Sequence, residues 1–166
     1  VSLTFNTRLA AMMARSIAPT GAMFTFVSLW TGSFWGRPTW GTYWAWDARM
    51  TSTLILLFLY LGIIALRNAI EDPRRADRAC ALLALVGAVN VPIIYFSVRW
   101  WNTLHQGATI KLLGPSTLDS SMVWPLVATV IGTKAWFVGS LLQRARALNL
   151  EQESGKDWVR GAVDAS

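Results

Sequence analysis

Residues 35–49 combine indole rings, glycines and paired charges between two apolar runs. An indole face packs well against the headgroup region of a membrane or against another planar aromatic molecule. If the segment is helical, Trp40 and Trp44 share a face, and if it is extended, Trp44 and Trp46 do. The rings alone are compatible with a large flat ligand or with an aromatic belt that only anchors the chain at the membrane surface.

The same segment has features that a membrane anchor does not need. Gly36 and Gly41 allow a close approach of the backbone, and the segment ends in Asp47 and Arg49. Asp47 could pair with Arg49 or Arg37 simply to neutralise charge near the headgroups. An aromatic belt and a ligand-binding platform therefore both remain open.

His105 is the only histidine in the sequence, and it follows two tryptophans just beyond another apolar run. A loop histidine by itself has no specific role. Beside two indole clusters it is a candidate axial ligand for haem iron, because imidazole binds iron and a porphyrin stacks on aromatic rings. Guanidinium groups could then pair with the haem propionates, and the candidates are Arg37, Arg49 and Arg99.

Several classes of site are excluded by missing motifs. Cys80 is the single cysteine, so the sequence has no intrachain disulfide and no site for covalent haem attachment. It contains no P-loop, so any ATP-driven step requires a partner. It also lacks the cysteine and histidine spacing of a zinc site and a confident serine–histidine–aspartate set.

The composition is that of a membrane protein. Of the 166 residues, 54% are hydrophobic and 14% are charged, and the mean hydropathy is +0.39. The formal net charge is +6, but the basic residues lie in the gaps between apolar runs, so the charge does not indicate a nucleic-acid-binding surface.

The apolar runs predict an all-α, polytopic bundle of transmembrane helices. About 20 apolar residues are needed for a helix to cross the hydrocarbon layer. Asn90 lies inside the third run, where an amide usually bridges two helices, and Lys134 lies inside the fourth, with no assigned role. The four predicted spans are residues 17–35, 50–66, 79–98 and 122–142.

The orientation follows from the positions of lysine and arginine, because cytoplasmic loops carry the excess. The two termini and the 67–78 loop hold ten of these residues, against four in the other two loops. We therefore expect one membrane domain over residues 1–166, with a cytoplasmic tail at 143–166. Residues 36–49 would form an external tryptophan-rich loop, and residues 99–121 an external histidine loop.

Two long motifs resemble one known family. Residues 40–52 (WGTYWAWDARMTS) resemble the tryptophan-rich "WWD" signature of haem-handling membrane proteins, and residues 98–107 (VRWWNTLHQG) resemble the histidine loop that follows it. With residues 32–38 (GSFWGRP) and 90–94 (NVPII), the match is to the haem exporter protein C family of cytochrome c maturation. Tyr43 stands where many members have tryptophan.

The resemblance implies a six-helix protein of the bacterial inner membrane that holds non-covalent haem b at the periplasmic face. It implies delivery to a membrane-anchored haem chaperone, together with an ABC-type ATPase, membrane subunits and a small membrane partner, and no enzymatic step. By the same resemblance, His105 is one axial ligand of the iron, and Trp40, Trp44, Trp46 and Asp47 form the platform. Arg49 and Arg99 would lie near the propionates.

Two other functions stay open at this point. A haem lyase of the same tryptophan-rich superfamily would attach haem to cysteine thiols, and a permease subunit of an ATP-driven transporter would use the indoles only as anchors. The family also has a second histidine in an earlier external loop, which would precede Val1. We therefore expect the sequence to begin after the first helix and most of the second.

Overall fold

The structure, a computed structural model, describes residues 8–105 and 118–153. Within these ranges all the regular secondary structure is helical, which confirms the all-α fold class. The helices in chain order are α1 (Arg8–Trp40), α2 (Ala48–Ala69), α3 (Pro73–Trp100) and α4 (Ser120–Glu153).

Three of the helices are long and apolar enough to cross a membrane, as judged by length and composition in the described part of the chain. They are α2, α3 and residues 120–151 of α4. Helix α1 contains the predicted span 17–35 but does not reach the same apolarity, so a fourth span stays a prediction. Its polar residues include Thr25 and Thr31, whose hydroxyls donate to the carbonyls of Gly21 and Val27 one turn earlier.

The helices extend beyond the apolar runs that predicted them. Helix α1 continues to Trp40, so the non-helical part of the predicted tryptophan loop is only residues 41–47. Helix α3 ends at Trp100, and α4 continues through residues 143–153 of the predicted tail. Hydropathy marks the membrane-embedded part of a helix, whereas caps and turns set its ends.

The helices pack in the order α4, α1, α2, α3. Helices α1 and α2 approach closely at Gly21, where an added Cβ would lie 2.6 Å from the Tyr60 ring. Helix α4 packs on α1 through edge-to-face contact of Trp136 with Phe24, with ring centroids 5.4 Å apart. This order leaves α2 between α1 and α3.

Asn90 bridges two helices, as its position in an apolar run predicted. Its side-chain amide donates to the carbonyl oxygen of Ser52 at 2.8 Å, and both residues are buried. The carbonyl of Ser52 lies on α2 and Asn90 lies on α3, so the bond fixes the two helices in one register. A buried amide is stable in such a place because it has a partner.

The two ends of the bundle differ in content. We call the end with Trp40, Asp47 and Trp100 the indole end, and the other end the arginine end. At the arginine end, Arg15 and Arg67 both contact the Asp77 carboxylate, at 3.2 and 3.1 Å. A cavity of about 900 Å³ lies beside this cluster, and none of the predicted site residues lines it.

Candidate functional site

The turn between α1 and α2 is held by hydrogen bonds from both sides. Gly41 has a positive φ of 79°, which favours glycine, and its N–H donates to the Arg37 carbonyl oxygen at 3.0 Å. The Arg37 guanidinium donates back to the Gly41 carbonyl oxygen at 3.0 Å. The Ser33 hydroxyl donates to the Tyr43 carbonyl oxygen at 2.6 Å. The turn is therefore fixed to the last two turns of α1.

Gly36 provides the close approach that the sequence suggested, and Gly41 does not. A Cβ at Gly36 would lie 3.1 Å from the Trp40 ring and 3.2 Å from the Thr42 carbonyl oxygen. Nothing lies within 4 Å of a Cβ built on Gly41, where glycine is needed for the backbone conformation instead. The two glycines shape the turn for different reasons.

Asp47 is the N-cap of α2. Its Oδ1 accepts a hydrogen bond from the Met50 backbone N–H at 2.7 Å, which satisfies one of the free donors at the helix start. The Asp47 side chain is only 6% exposed. A buried carboxylate needs partners for both oxygens, and its second oxygen, Oδ2, faces the segment that follows α3.

Oδ2 of Asp47 contacts His105. The His105 Nδ1 lies 2.7 Å from this oxygen, and the Thr103 hydroxyl donates to it as well. An ionised carboxylate can only accept, so Nδ1 carries the proton. In the neutral ring Nε2 then keeps its lone pair, which is the atom that binds a metal.

The hydrogen bonds also keep Asp47 ionised. Burial by itself raises the pKa of this carboxyl, but the hydrogen bonds from Thr103, Met50 and His105 outweigh it and leave the pKa below its ordinary value. A carboxylate that stays charged is the stronger acceptor for the imidazole N–H.

Trp40 lies against the His105 ring. The ring centroids are 4.6 Å apart with an interplanar angle of 65°, and the Trp35 ring also contacts the Trp40 indole, with centroids 5.3 Å apart. Trp44 and Trp46 pair with each other instead, at 5.4 Å, as expected for the extended alternative. The three platform tryptophans are thus split into one that touches the histidine and a neighbouring pair.

The Trp46 indole is 77% exposed. The Trp44 Nε1, by contrast, is buried and has no hydrogen-bond partner among the described residues. A buried N–H without an acceptor is uncommon in proteins. This tryptophan pair therefore offers one accessible ring and one unsatisfied donor.

The three candidate arginines do not contact His105 or Asp47. Arg37 is used within the turn and lies over the Tyr43 ring, 5.3 Å from its centroid. The side chains of Arg49 and Arg99 are exposed and make no hydrogen bond or ion pair within residues 8–105 and 118–153. Asp47 does not pair with Arg37 or Arg49, one of the possibilities left open by the sequence, because its two oxygens contact the helix cap and the segment after α3.

Thr103 is the contact that the sequence reasoning missed. Its hydroxyl accepts from the His105 backbone N–H at 3.1 Å, a turn typical of threonine two residues before its partner. The Thr-x-His spacing directly after a helix was the available signal. The remainder of the predicted histidine loop, residues 106–117, lies outside the described residues.

This arrangement supplies a single metal-binding nitrogen. Among the described residues, no group of three or more histidine, cysteine, aspartate and glutamate side chains could hold a metal ion. One imidazole is enough for iron whose other ligands come from a macrocycle. The fold and the site together define a multi-pass helical membrane protein with an oriented histidine among indoles.

Comparison with known proteins identifies the family. The model of the heme exporter protein C family matches residues 1–160. Heme exporter protein C of Bradyrhizobium diazoefficiens is 51% identical over 162 residues, which cover 92% of this chain and 62% of that protein. The protein of the same name from Escherichia coli K12 is 46% identical over 159 residues, or 96% of this chain and 64% of that protein.

A third relative, heme exporter protein C of Paracoccus denitrificans, is 41% identical over 138 residues, or 82% of this chain and 57% of that protein. The chain belongs to the heme exporter protein C family, which confirms the resemblance carried by the two motifs. It spans less than two thirds of the length of these curated relatives.

Proposed function

We propose that the protein binds haem b non-covalently at the indole end, with His105 as an axial ligand of the iron, and passes the haem on for cytochrome c maturation. The observation that carries this proposal is the contact of His105 Nδ1 with buried Asp47. This contact directs the proton to Nδ1 and leaves Nε2 for iron. The family name of the relatives supports haem as the ligand.

The surrounding residues fit a porphyrin with carboxylate side chains. The Trp40 ring borders the imidazole, and the exposed ring of Trp46 offers a face for stacking. An acceptor oxygen on the bound molecule would satisfy the Trp44 Nε1 donor. Arg49, in the first turn of α2, and Arg99, in the last turn of α3, are exposed cations that can pair with propionates.

The test removes the imidazole and then returns it. In the full-length protein, we expect His105→Gly to lose most of the haem absorption at an unchanged protein level, because the iron loses its only ligand from this segment. Added free imidazole should restore the spectrum in part. Trp30→Phe is the matched control, since Trp30 stacks on Phe26, away from His105. Unchanged haem retention in His105→Gly would overturn the ligand assignment.

The delivery step depends on an open edge of the site. Trp46 and Trp100 are exposed, with 77% and 59% of their surface accessible, so a bound haem would remain accessible to a second protein. We assign the receiving role to a membrane-anchored haem chaperone that works with an ABC-type ATPase, its membrane subunits and a small membrane partner. Haem transfer from the loaded protein to the isolated chaperone would support this step, and transport of another solute would favour a permease instead.

We place the indole end on the periplasmic side of the inner membrane. The support is the excess of lysine and arginine in the segments of the opposite side. In a Cys80→Ser background, a cysteine at exposed Asn102 should react with a membrane-impermeant maleimide added to whole cells, and one at exposed Asn68 should not. The reverse labelling pattern would overturn the orientation.

A further inference from the structure

The Thr103 hydroxyl lies at the centre of the contact between the turn and the histidine segment. It donates to Asp47 Oδ2, accepts from the His105 backbone N–H, and lies 3.3 Å from the His105 Nδ1. All these atoms belong to partly buried or buried groups. The hydroxyl therefore fixes both the carboxylate and the ring that the carboxylate holds.

Asp47 divides its two oxygens between two structural elements. Oδ1 caps α2 through the Met50 N–H, and Oδ2 receives Thr103 and His105. Because the cap fixes the carboxylate on a helix end, the direction of Oδ2 is set by α2. The positions of Thr103 and His105 are thus set by the start of α2.

We propose that Thr103 is a positioning residue of the haem site, which shares the Asp47 carboxylate with His105 and so sets both the direction and the donor strength of the imidazole. This inference rests on the proposed function of His105 as an iron ligand. Hydrogen-bonded partners of ligating histidines fix the ring orientation and raise ligand basicity. Thr103 and Asp47 act through His105 and need not touch the haem.

Thr103 and Asp47 have opposite effects on the strength of the imidazole as a donor to iron: the carboxylate increases it, and the hydroxyl decreases it. Thr103→Val removes one donor from Oδ2, so more of the carboxylate charge faces His105 and the ring becomes a stronger donor to iron. A stronger donor favours the ferric state, so the reduction potential should shift to a more negative value. Thr103→Ser keeps the hydroxyl and should restore the wild-type potential.

Asp47→Asn changes the contact without removing the cap. Asparagine is an equally good N-cap, but its amide can donate to Nδ1, which moves the ring proton to Nε2 and blocks the metal-binding nitrogen. We expect haem affinity to fall about 10–100-fold, the usual effect of losing such a partner. Any haem that remains bound should have a more positive potential.

The experiment uses the full-length protein in detergent, with haem titration and spectroelectrochemistry of each variant. Thr53→Val is the matched control, since the Thr53 hydroxyl donates only to the Arg49 carbonyl oxygen of its own helix. Thr103→Ala provides a second removal of the hydroxyl if the valine variant does not fold. In the haem-free protein, the rate at which diethyl pyrocarbonate modifies His105, followed by peptide mass spectrometry, should rise in Thr103→Val and Thr103→Ala. It should fall in Asp47→Asn, where the proton on Nε2 and the amide on Nδ1 leave no ring nitrogen open to attack.

The outcomes separate this inference from the proposed function. The positioning role would be overturned if Thr103→Val and Thr103→Ala had the same reduction potential, haem affinity and His105 modification rate as Thr53→Val. His105 would then remain the ligand. A shift of the reduction potential to more positive values in both Thr103→Val and Thr103→Ala would contradict the sharing of the carboxylate. Full haem retention in His105→Gly would overturn the proposed function and this inference with it.

Discussion

Each end of the bundle contains an aspartate that joins separate elements, and the two carboxylates differ in burial and in partners. The Asp47 side chain at the indole end is 6% exposed and the Asp77 side chain at the arginine end is 30% exposed. Asp47 accepts from a backbone N–H, a hydroxyl and an imidazole. Asp77 receives two guanidinium groups, Arg15 from α1 and Arg67 from α2, on the same oxygen.

The difference in partners shows that Asp77 makes a structural contact, whereas Asp47 belongs to a candidate binding site. At Asp77 the charges of the partners compensate the carboxylate and tie α1, α2 and α3 together. At Asp47 one partner, the His105 ring, has a second nitrogen that the carboxylate does not use. A buried acid indicates a functional site when it orients a group that still has an atom free to bind.

The largest effect on stability is expected at the arginine end. Asp77→Ala leaves Arg15 and Arg67 close together without their shared anion. Exposed ion pairs contribute about 0–1 kcal/mol and breaking a buried one costs about 3–5, so for this half-buried cluster we expect a loss of about 2 kcal/mol. The measurement is thermal unfolding of the haem-free protein in detergent.

Glu71→Ala, at an exposed acid of the same end, is the control for Asp77→Ala and should unfold like the wild type. Haem affinity per folded molecule should be unchanged in Asp77→Ala. A fall in haem affinity as large as that of Asp47→Asn would remove the distinction between the two ends.

The smallest effect concerns a third carboxylate, Asp119, which precedes α4 and is exposed. Hydrogen bonds from the Ser121 hydroxyl and backbone N–H hold the pKa of Asp119 below its ordinary value. A pKa lowered by folding stabilises the helix start above the pKa of the unfolded chain, and this contribution is lost as the pH falls through the folded pKa. Acid should therefore loosen the first turn of α4.

Hydrogen exchange of the first turn of α4, corrected for the intrinsic rate at each pH, measures this loosening. Asp119→Asn retains a cap that does not titrate and should show no such change on acidification. If both proteins respond alike, the Asp119 carboxylate does not stabilise the helix start. The result measures the effect of a helix-capping carboxylate that, unlike Asp47, has no bond to a distant segment among the described residues.

Much of the fold could be predicted from the sequence because the signals are local. Apolar runs predicted helices at 50–66, 79–98 and 122–142, and each lies inside an observed helix. The buried amide of Asn90 was expected to bridge helices and does. Helix ends were harder to predict, because hydropathy marks the apolar part of a helix and α1 continues beyond residue 35 to Trp40.

The sequence predicted two residues of the Asp47–Thr103–His105 contact, Asp47 and His105, but not Thr103 and not the contact itself. The only specific partners that the sequence suggested for Asp47 were the nearby Arg37 and Arg49. The observed partners, Thr103 and His105, lie 56 and 58 residues away along the chain. No local pattern encodes such a contact, which forms only when α2 and α3 pack side by side.

The amino-acid sequence alone determined the membrane class, the helical elements, the family and the candidate ligand, because hydropathy, charge placement and motif spacing are properties of neighbouring residues. The tertiary structure alone decided which nitrogen of His105 is free, that Trp40 touches the ring while Trp44 and Trp46 pair apart from it, and that Thr103 belongs to the site. Those features depend on distances between segments far apart in the chain, and these distances are fixed by helix packing.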